Sequence, residues 1–218
     1  MNNIKAILIL GPTGSGKTPL GAICEKKGLW GANCFHFDFG LQLRCIAEIG
    51  EITEFFTDKD INFIKQTLET EALLENEKFY IAEKILFSFL KNRQFAKKDL
   101  LILNGLPRHI DQAKEIDKTV NIIKVVQLEC SPEVVVKRIN MNSGGDRTGR
   151  TDDSLKKVEN KLKIFKFRTL PVIEHYNKIG VEKINVSINI TAEKIYSIIE
   201  KKNQTYQQTG SYCHEKII

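Results

Sequence analysis

The sequence of 218 residues has few cysteines, and they are not spaced as metal ligands. The five cysteines are an odd number, and no two of them form a C-x-x-C pair. This pattern indicates a reducing compartment and argues against a disulfide framework or a structural zinc site. The chain also lacks an apolar run near the roughly 18 residues that a membrane helix needs. We therefore expect a cytoplasmic protein that does not insert into membranes.

The composition is that of an ordinary soluble globular protein. Hydrophobic residues make up 42% and charged residues 28% of the chain, which suits one domain with a proper core. The net charge of +6 suits a protein that handles polyanions such as nucleotides, nucleic acid or acidic lipid. A lysine-rich, solvated surface would explain the same charge equally well.

The most informative stretch is a glycine-rich loop that follows an apolar run and precedes a helix-compatible segment. Residues 11–18 read GPTGSGKT and fit the phosphate-binding pattern G-x-x-x-x-G-K-[ST]. The glycines permit positive φ, so successive backbone N–H groups converge on an anion at the positive end of the helix dipole. We expect Lys17 to reach the β- and γ-phosphates and Thr18 to offer its hydroxyl to Mg²⁺. The residues predicted to bind ATP here are Gly11, Gly14, Ser15, Gly16, Lys17 and Thr18.

Five short apolar runs predict strands. They lie at residues 7–10, 34–37, 100–103, 122–128 and 181–186, with helical segments between them. Strands that alternate with helices indicate a parallel sheet with crossover helices, and continuous apolar runs suit strands buried on both faces. The sequence therefore predicts an α/β, three-layer fold with a five-stranded parallel sheet.

Several segments between the strands have predicted roles. Residues 41–50, 58–70 and 76–92 predict three helices without an intervening strand, which makes a candidate binding subdomain. The polar, glycine-rich and basic residues 142–151 predict a mobile loop, a candidate lid. We expect one long helix over 152–178, a last helix over about 192–202, and a flexible tail over 203–218.

Two further motifs give the chain a family resemblance. Leu103-Asn104-Gly105-Leu106-Pro107-Arg108 precedes Gln112, and Gly149-Arg150-Thr151-Asp152-Asp153 precedes the predicted long helix. In this order after the glycine loop, they resemble the adenylate kinase family of nucleoside monophosphate kinases, which shows D-G-[FY]-P-R-x-x-x-Q and G-R-x-D-D. The resemblance runs from about residue 4 to 202 and implies a P-loop NTPase fold. It also implies a helical insertion over about 40–75 that binds the monophosphate and a short lid over about 141–151.

The resemblance implies that MgATP phosphorylates AMP to give two ADP. Arginines suit such a site because their planar fork binds phosphate oxygens bidentately. Arg44 and Arg108 would hold the acceptor phosphate, and Gln112 would hydrogen-bond its base. Three further residues, Arg138, Arg150 and Lys161, would close on the transferring group. We expect no nucleic-acid or membrane partner, and a monomer.

This chain departs from the family pattern at positions near the site. The family has S-T-G-D-x-L-R where residues 38–44 read DFGLQLR. Phe39 replaces the threonine that faces the acceptor base, and an aromatic ring there would stack on a base or fill the pocket. Asn104 replaces an aspartate that orients a water on Mg²⁺. The amide can still hydrogen-bond such a water, but the lost charge weakens the expected Mg²⁺ site.

Three alternatives follow from these observations. The acceptor can be CMP, UMP or another small phosphate. The departures also fit a nucleotide-binding protein with little catalysis. The wording of the glycine loop further resembles tRNA prenyl-transferring enzymes, and the net charge of +6 suits RNA. The motifs at Pro107-Arg108 and at residues 149–153 argue against this last alternative.

Overall fold

A computed structural model of the chain describes residues 4–70, 72–148 and 153–210, with side chains up to residue 202. Five strands alternate with helices, so the predicted α/β class is confirmed. The strands are β1 (Ile4–Leu10), β2 (Cys34–Asp38), β3 (Leu100–Asn104), β4 (Val120–Glu129) and β5 (Val181–Asn185). The helices are α1 (Lys17–Lys27), α2 (Phe39–Ile49), α3 (Asp58–Thr70), α4 (Phe79–Asn92), α5 (Ile110–Ile116), α6 (Pro132–Asn140), α7 (Leu155–Ile164), α8 (Val172–His175) and α9 (Ala192–Gly210).

The strands form one parallel sheet in the order β2-β3-β1-β4-β5, as predicted for a five-stranded sheet. Alternate residues of β1 pack into two cores: Ala6 and Leu8 enter one, while Ile7 and Ile9 enter the other. A strand with apolar side chains on both faces requires helices on both faces, which gives three layers. Because parallel strands end at one edge, the loop after β1 meets the last residues of β2 and β3 there.

The segment between β2 and β3 is helical, as the sequence predicts. Asp38 caps α2 by accepting a hydrogen bond of 3.0 Å from the backbone N–H of Leu41, and Gly50 ends that helix with a φ of 64°. The predicted bounds of α3 are confirmed at both ends. The third predicted helix begins as a 3₁₀ turn over Asn76–Lys78 and continues as α4.

The prediction of a single helix over 152–178 is wrong. α7 passes into a π-helical turn over Phe165–Thr169, in which the N–H of Leu170 donates to the carbonyl of Phe165 at 2.8 Å. Pro171 follows, and because proline has no N–H to donate, a continuous helix cannot pass through it. The turn buries Thr169, whose hydroxyl donates a 2.8 Å hydrogen bond to the carbonyl of Arg108. This break brings the segment after α7 against the loop that follows β3.

The last helix is longer than predicted. α9 reaches Gly210 rather than residue 202, and residues 211–218 lie outside the described part of the chain. Within the described ranges, no helix combines the length and apolar character that crossing a membrane requires.

Candidate active site

Residues 11–18, the phosphate loop, connect the end of β1 to the start of α1. Gly14 and Gly16 have φ values of 75° and 95°, a left-handed region that is strained for residues with a Cβ. A Cβ at Gly11 would lie 2.6 Å from the hydroxyl of Ser15, so this position also requires glycine. Ser15 is fully buried and presents no surface to a ligand in this structure. The loop therefore has the backbone of an anion site at a helix N-terminus.

Lys17 lies inside the curve of this loop. Its ammonium donates hydrogen bonds of 2.8 Å to the carbonyls of Gly11 and Pro12. Burial of the ammonium, assisted by the positive charge of Arg147, lowers the pKa of Lys17 to about 7, and the negative charge of Asp38 opposes this shift. Lys17 is thus held over the loop by contacts that an anion can replace.

Thr18 and Asn104, both predicted to lie near Mg²⁺, meet at the sheet edge with a third residue. The carboxylate of Asp38 accepts a hydrogen bond of 2.6 Å from the hydroxyl of Thr18 and one of 2.8 Å from the amide of Asn104. Sequence reasoning missed Asp38 because it treated this residue only as part of a divergent motif. Its signal was present: a carboxylate ends the strand that comes after the phosphate loop.

Arg138 lies beneath the phosphate loop. Its Nε donates a 3.1 Å hydrogen bond to the carbonyl of Gly14. Its Nη1 lies within 3.1 Å of three carbonyls in the connection between β5 and α9, those of Ser187, Ile188 and Ile190. The side chain is buried, and burial lowers the pKa of its guanidinium below the ordinary value. Through these contacts, Arg138 connects the phosphate loop to the segment between β5 and α9.

Arg147 covers the phosphate loop from the segment predicted as a lid. Its Nη2 donates to the hydroxyl of Thr13 at 3.1 Å, and its Nη1 donates to the carboxylate of Asp153 at 2.8 Å. Asp146 contributes a second carboxylate oxygen 3.9 Å from Nε. The predicted catalytic residue Arg150 lies outside the described residues.

The remaining predicted residues line one cavity with the phosphate loop. Arg44 reaches it from α2, Arg108 from the loop after β3, and Lys161 from α7. Among the described residues of the lining, five carry positive charge and two carry carboxylates: Lys17, Arg44, Arg108, Arg147 and Lys161 against Asp38 and Asp146. This excess of cations suits a ligand with several phosphate charges.

Gln112 and Phe39, which the sequence predicts to meet the acceptor base, line the same cavity. The side-chain oxygen of Gln112 accepts a 2.7 Å hydrogen bond from the N–H of Arg108. Its amide nitrogen donates one hydrogen to the carbonyl of Leu74 at 2.8 Å, which leaves one N–H for a ligand. Phe39 is buried, with its ring centroid 6.2 Å from that of Phe37.

His109 supports this part of the cavity. Its Nδ1 accepts a long hydrogen bond of 3.4 Å from the N–H of Gln112, so its Nε2 carries the hydrogen that is donated to the carbonyl of Leu74 at 3.0 Å. The Leu74 carbonyl therefore receives two donors, and the backbone of residue 74 is fixed beside Gln112.

Comparison of the sequence with known proteins identifies the family of the chain. The sequence model of a family described as adenylate kinase matches residues 57–181, more than half of the chain. An adenylate kinase of Prochlorococcus marinus (strain NATL1A) is 25% identical over 203 residues, which are 90% of this chain and 97% of that protein. An adenylate kinase of Rickettsia bellii (strain RML369-C) is 28% identical in an alignment of 222 positions, which covers 89% of this chain and 97% of that protein. An adenylate kinase of Borrelia garinii subsp. bavariensis is 25% identical in an alignment of 227 positions, which covers 90% of this chain and 99% of that protein.

Proposed function

The chain belongs to the adenylate kinase family of nucleoside monophosphate kinases, and from this we propose that it transfers the γ-phosphoryl group of MgATP to AMP, giving two ADP. One observation carries the proposal. The phosphate loop lies on one side of a cavity whose other lining residues include Arg44 and Arg108. A glycine loop with its lysine binds a triphosphate, while a pair of arginines suits a second phosphate.

Transfer of a phosphoryl group asks the protein mainly to align two phosphates and to neutralise charge on the equatorial oxygens. In our proposal the loop amides and Lys17 hold the β- and γ-phosphates. Arg44 and Arg108 hold the acceptor phosphate opposite them. A general base is not required, since the attacking phosphate oxygen is already ionised.

Three basic residues are proposed to close on the transferring group from the lid side. Arg147 and Lys161 line the cavity, and the predicted Arg150 belongs to the same segment as Arg147. Their approach would complete the positive surface around the transferring phosphate and exclude water, which suppresses hydrolysis of ATP. We propose that Arg138, in contrast, acts by holding the phosphate loop through the Gly14 carbonyl.

Mg²⁺ is the expected companion of ATP. When bound, it neutralises charge on the β- and γ-phosphates. The hydroxyl of Thr18 and the carboxylate of Asp38 support a site here, because oxygen atoms of this kind are the ligands that Mg²⁺ prefers. Asn104 is hydrogen-bonded to both, so the three residues act together.

The acceptor base is proposed to lie between Phe39 and Gln112. The one N–H that Gln112 has left can donate to N1 of adenine, which favours AMP. A second candidate is a broader acceptor range that includes CMP and UMP, because stacking of a base on the ring of Phe39 does not depend on the identity of the base.

We also propose that residues about 40–75 form the acceptor-binding insertion, that residues about 141–151 form the lid, and that the protein is cytoplasmic and monomeric.

The test is a coupled assay for ADP with ATP and each of AMP, CMP, UMP and GMP, with Lys17→Met as the inactive control. We expect turnover with AMP and none in the control. Turnover with another acceptor and none with AMP would move the assignment to that nucleotide. If ATP binds but no acceptor is phosphorylated, the protein is a nucleotide-binding protein rather than a kinase.

A further inference from the structure

Three side chains form a closed hydrogen-bond cluster at the edge of the sheet, beside the phosphate loop. The hydroxyl of Thr18 donates to Asp38 at 2.6 Å, and the amide nitrogen of Asn104 donates to Asp38 at 2.8 Å and to Thr18 at 3.2 Å. Asp38 and Asn104 are 7% and 3% exposed. They are also direct partners in the register of β2 and β3. The carboxylate is therefore fixed by neighbours on two sides.

The direction of these hydrogen bonds distinguishes the roles of the two residues. A water molecule bound to Mg²⁺ has its lone pair engaged by the metal, so it can only donate hydrogen bonds. Asn104 turns its N–H groups toward Thr18 and Asp38, and its oxygen consequently points away from them. Asp38 is the residue of this pair that presents a charged acceptor toward the phosphate loop.

We infer that Asp38 is the carboxylate that binds Mg²⁺ of MgATP, directly or through its waters, and that Asn104 is a positioning residue that orients it. This inference rests on the proposed function. It replaces the expectation that Asn104 contacts the water on the metal. The carboxylate that the family pattern places at position 104 has a counterpart here at position 38 on the adjacent strand, where the family pattern has serine.

This arrangement changes what the variant Asn104→Asp should do. With Asp38 in place, a second carboxylate at position 104 would face the first across a hydrogen-bond distance. Two carboxylates that share a site repel each other. In the absence of metal and nucleotide, the single variant is therefore expected to melt at a lower temperature than the wild type.

The exchange of the two residues provides the decisive test, since Asp38→Asn combined with Asn104→Asp keeps the same side-chain atoms and charge. The measurement is binding of Mn²⁺, as a spectroscopic substitute for Mg²⁺, to the complex of protein and a non-hydrolysable ATP analogue, followed by electron paramagnetic resonance. We expect Asp38→Asn to weaken Mn²⁺ binding by about 10- to 100-fold. The Mn²⁺ affinity of the double variant should return to within about threefold of the wild-type value, a small difference beside the loss expected for Asp38→Asn.

A matched control removes a different carboxylate from the same cavity. Asp146→Asn has the same change in charge but lies on the lid side, and we expect Mn²⁺ affinity to change less than about twofold, as a screened charge allows. Binding of the ATP analogue in EDTA is measured in parallel, and a melting curve confirms that each variant is folded. If Asp38→Asn does not fold, Asp38→Ser, which has the residue of the family pattern at this position, is measured in its place with the same expected loss of Mn²⁺ affinity.

The outcomes separate the inference from the function on which it rests. Unchanged Mn²⁺ affinity in Asp38→Asn, with nucleotide still bound, overturns the inference and leaves the kinase proposal standing. Loss of phosphoryl transfer with unchanged Mn²⁺ affinity overturns it as well and indicates that the carboxylate acts on the acceptor. A wild-type protein that binds no ATP analogue overturns both.

Discussion

The guanidinium of Arg138 donates a hydrogen bond of 3.1 Å to the carbonyl oxygen of Gly14, from the side of the phosphate loop that faces α6. The same side chain contacts the carbonyls of Ser187, Ile188 and Ile190. One buried arginine thus connects the loop to the segment between β5 and α9. The conformation of the phosphate loop therefore depends on Arg138, which contacts the loop from below.

We predict that Arg138→Ala lowers stability and ATP affinity together. The change removes the donor from part-buried hydrogen bonds to four carbonyls, those of Gly14, Ser187, Ile188 and Ile190, which costs about 1–3 kcal/mol. Arg138→Lys should be nearly as harmful, since an ammonium lacks the planar fork needed to reach both groups of carbonyls. The measurements are thermal melting and the KM values for ATP and AMP. We expect the KM for AMP to change by less than about twofold, which is less than the loss of one hydrogen bond to AMP would cause.

A different result would restore the role that the sequence suggests for Arg138. If kcat falls at least about a hundredfold while the melting temperature is unchanged, the guanidinium contributes to the transition state itself.

The sequence predicts those parts of the site that depend on local patterns. The phosphate loop is recognisable because strand, glycines, lysine and threonine follow one another directly. Arg44, Arg108 and Gln112 could be predicted to lie in one site because each lies at a fixed place in a short motif, and all three line the cavity. The bounds of α3 were predictable because its apolar period and its acidic first turn coincide.

The parts that the sequence misses depend on tertiary structure. The role of Asp38 follows from the order of the strands, which brings β2 beside β3 and next to the phosphate loop. The sequence gives no indication that the side chain of Arg138 turns under the phosphate loop. The π-helical turn at Phe165–Thr169 escapes detection because helical periodicity continues through it, and only the contact of Thr169 with Arg108 explains its position.

We predict that Arg108→Ala raises the KM for the acceptor with little effect on the KM for ATP. A charge-assisted hydrogen bond to a phosphate contributes about 1.5–3 kcal/mol, which corresponds to an increase in KM of at least about tenfold. Arg44→Ala should act in the same direction, because the two residues line the same cavity. Initial rates at varied AMP and fixed saturating ATP give the KM.

Arg168→Ala is the control for these two variants. Arg168 belongs to the π-helical turn near the acceptor site, but it forms an exposed ion pair with Glu75 at 2.9 Å. Exposed ion pairs contribute little, so its acceptor KM should equal that of the wild type. An unmoved KM in Arg108→Ala would show that the acceptor phosphate binds elsewhere.

The lowered pKa of Lys17 predicts that ATP binding consumes a proton. With a pKa of about 7 in the free protein, Lys17 is largely neutral at pH 8, whereas a bound polyphosphate favours its charged form. Binding at pH 8 should therefore take up close to one proton, since ATP itself is already ionised there. ATP affinity should fall by about tenfold for each pH unit above 7, until the pKa of the bound state is reached.

Isothermal titration calorimetry in two buffers of different ionisation enthalpy measures this proton directly. Lys17→Met, which cannot titrate, should bind ATP weakly, without proton uptake and without transfer activity. The same proton count in Lys17→Met as in the wild type would assign the uptake to another group.

Phe39 leads to a prediction about the choice of acceptor. Its buried ring lines the cavity beside Leu43 and Gln112, and stacking on a base does not discriminate strongly between bases. A hydroxyl at this position would instead hydrogen-bond particular atoms of the base. We therefore expect Phe39→Thr to raise the ratio of kcat/KM for AMP to that for CMP by about tenfold, the effect of one specific hydrogen bond. The variant should also lose about 3 kcal/mol or more of stability, as other truncations of a buried phenylalanine do.

Phe39→Leu, which loses the ring without gaining a hydroxyl, is the matched control and should leave the ratio of kcat/KM values unchanged. Equal ratios in wild type and Phe39→Thr would mean that the ring fills space in the core and does not meet the acceptor base.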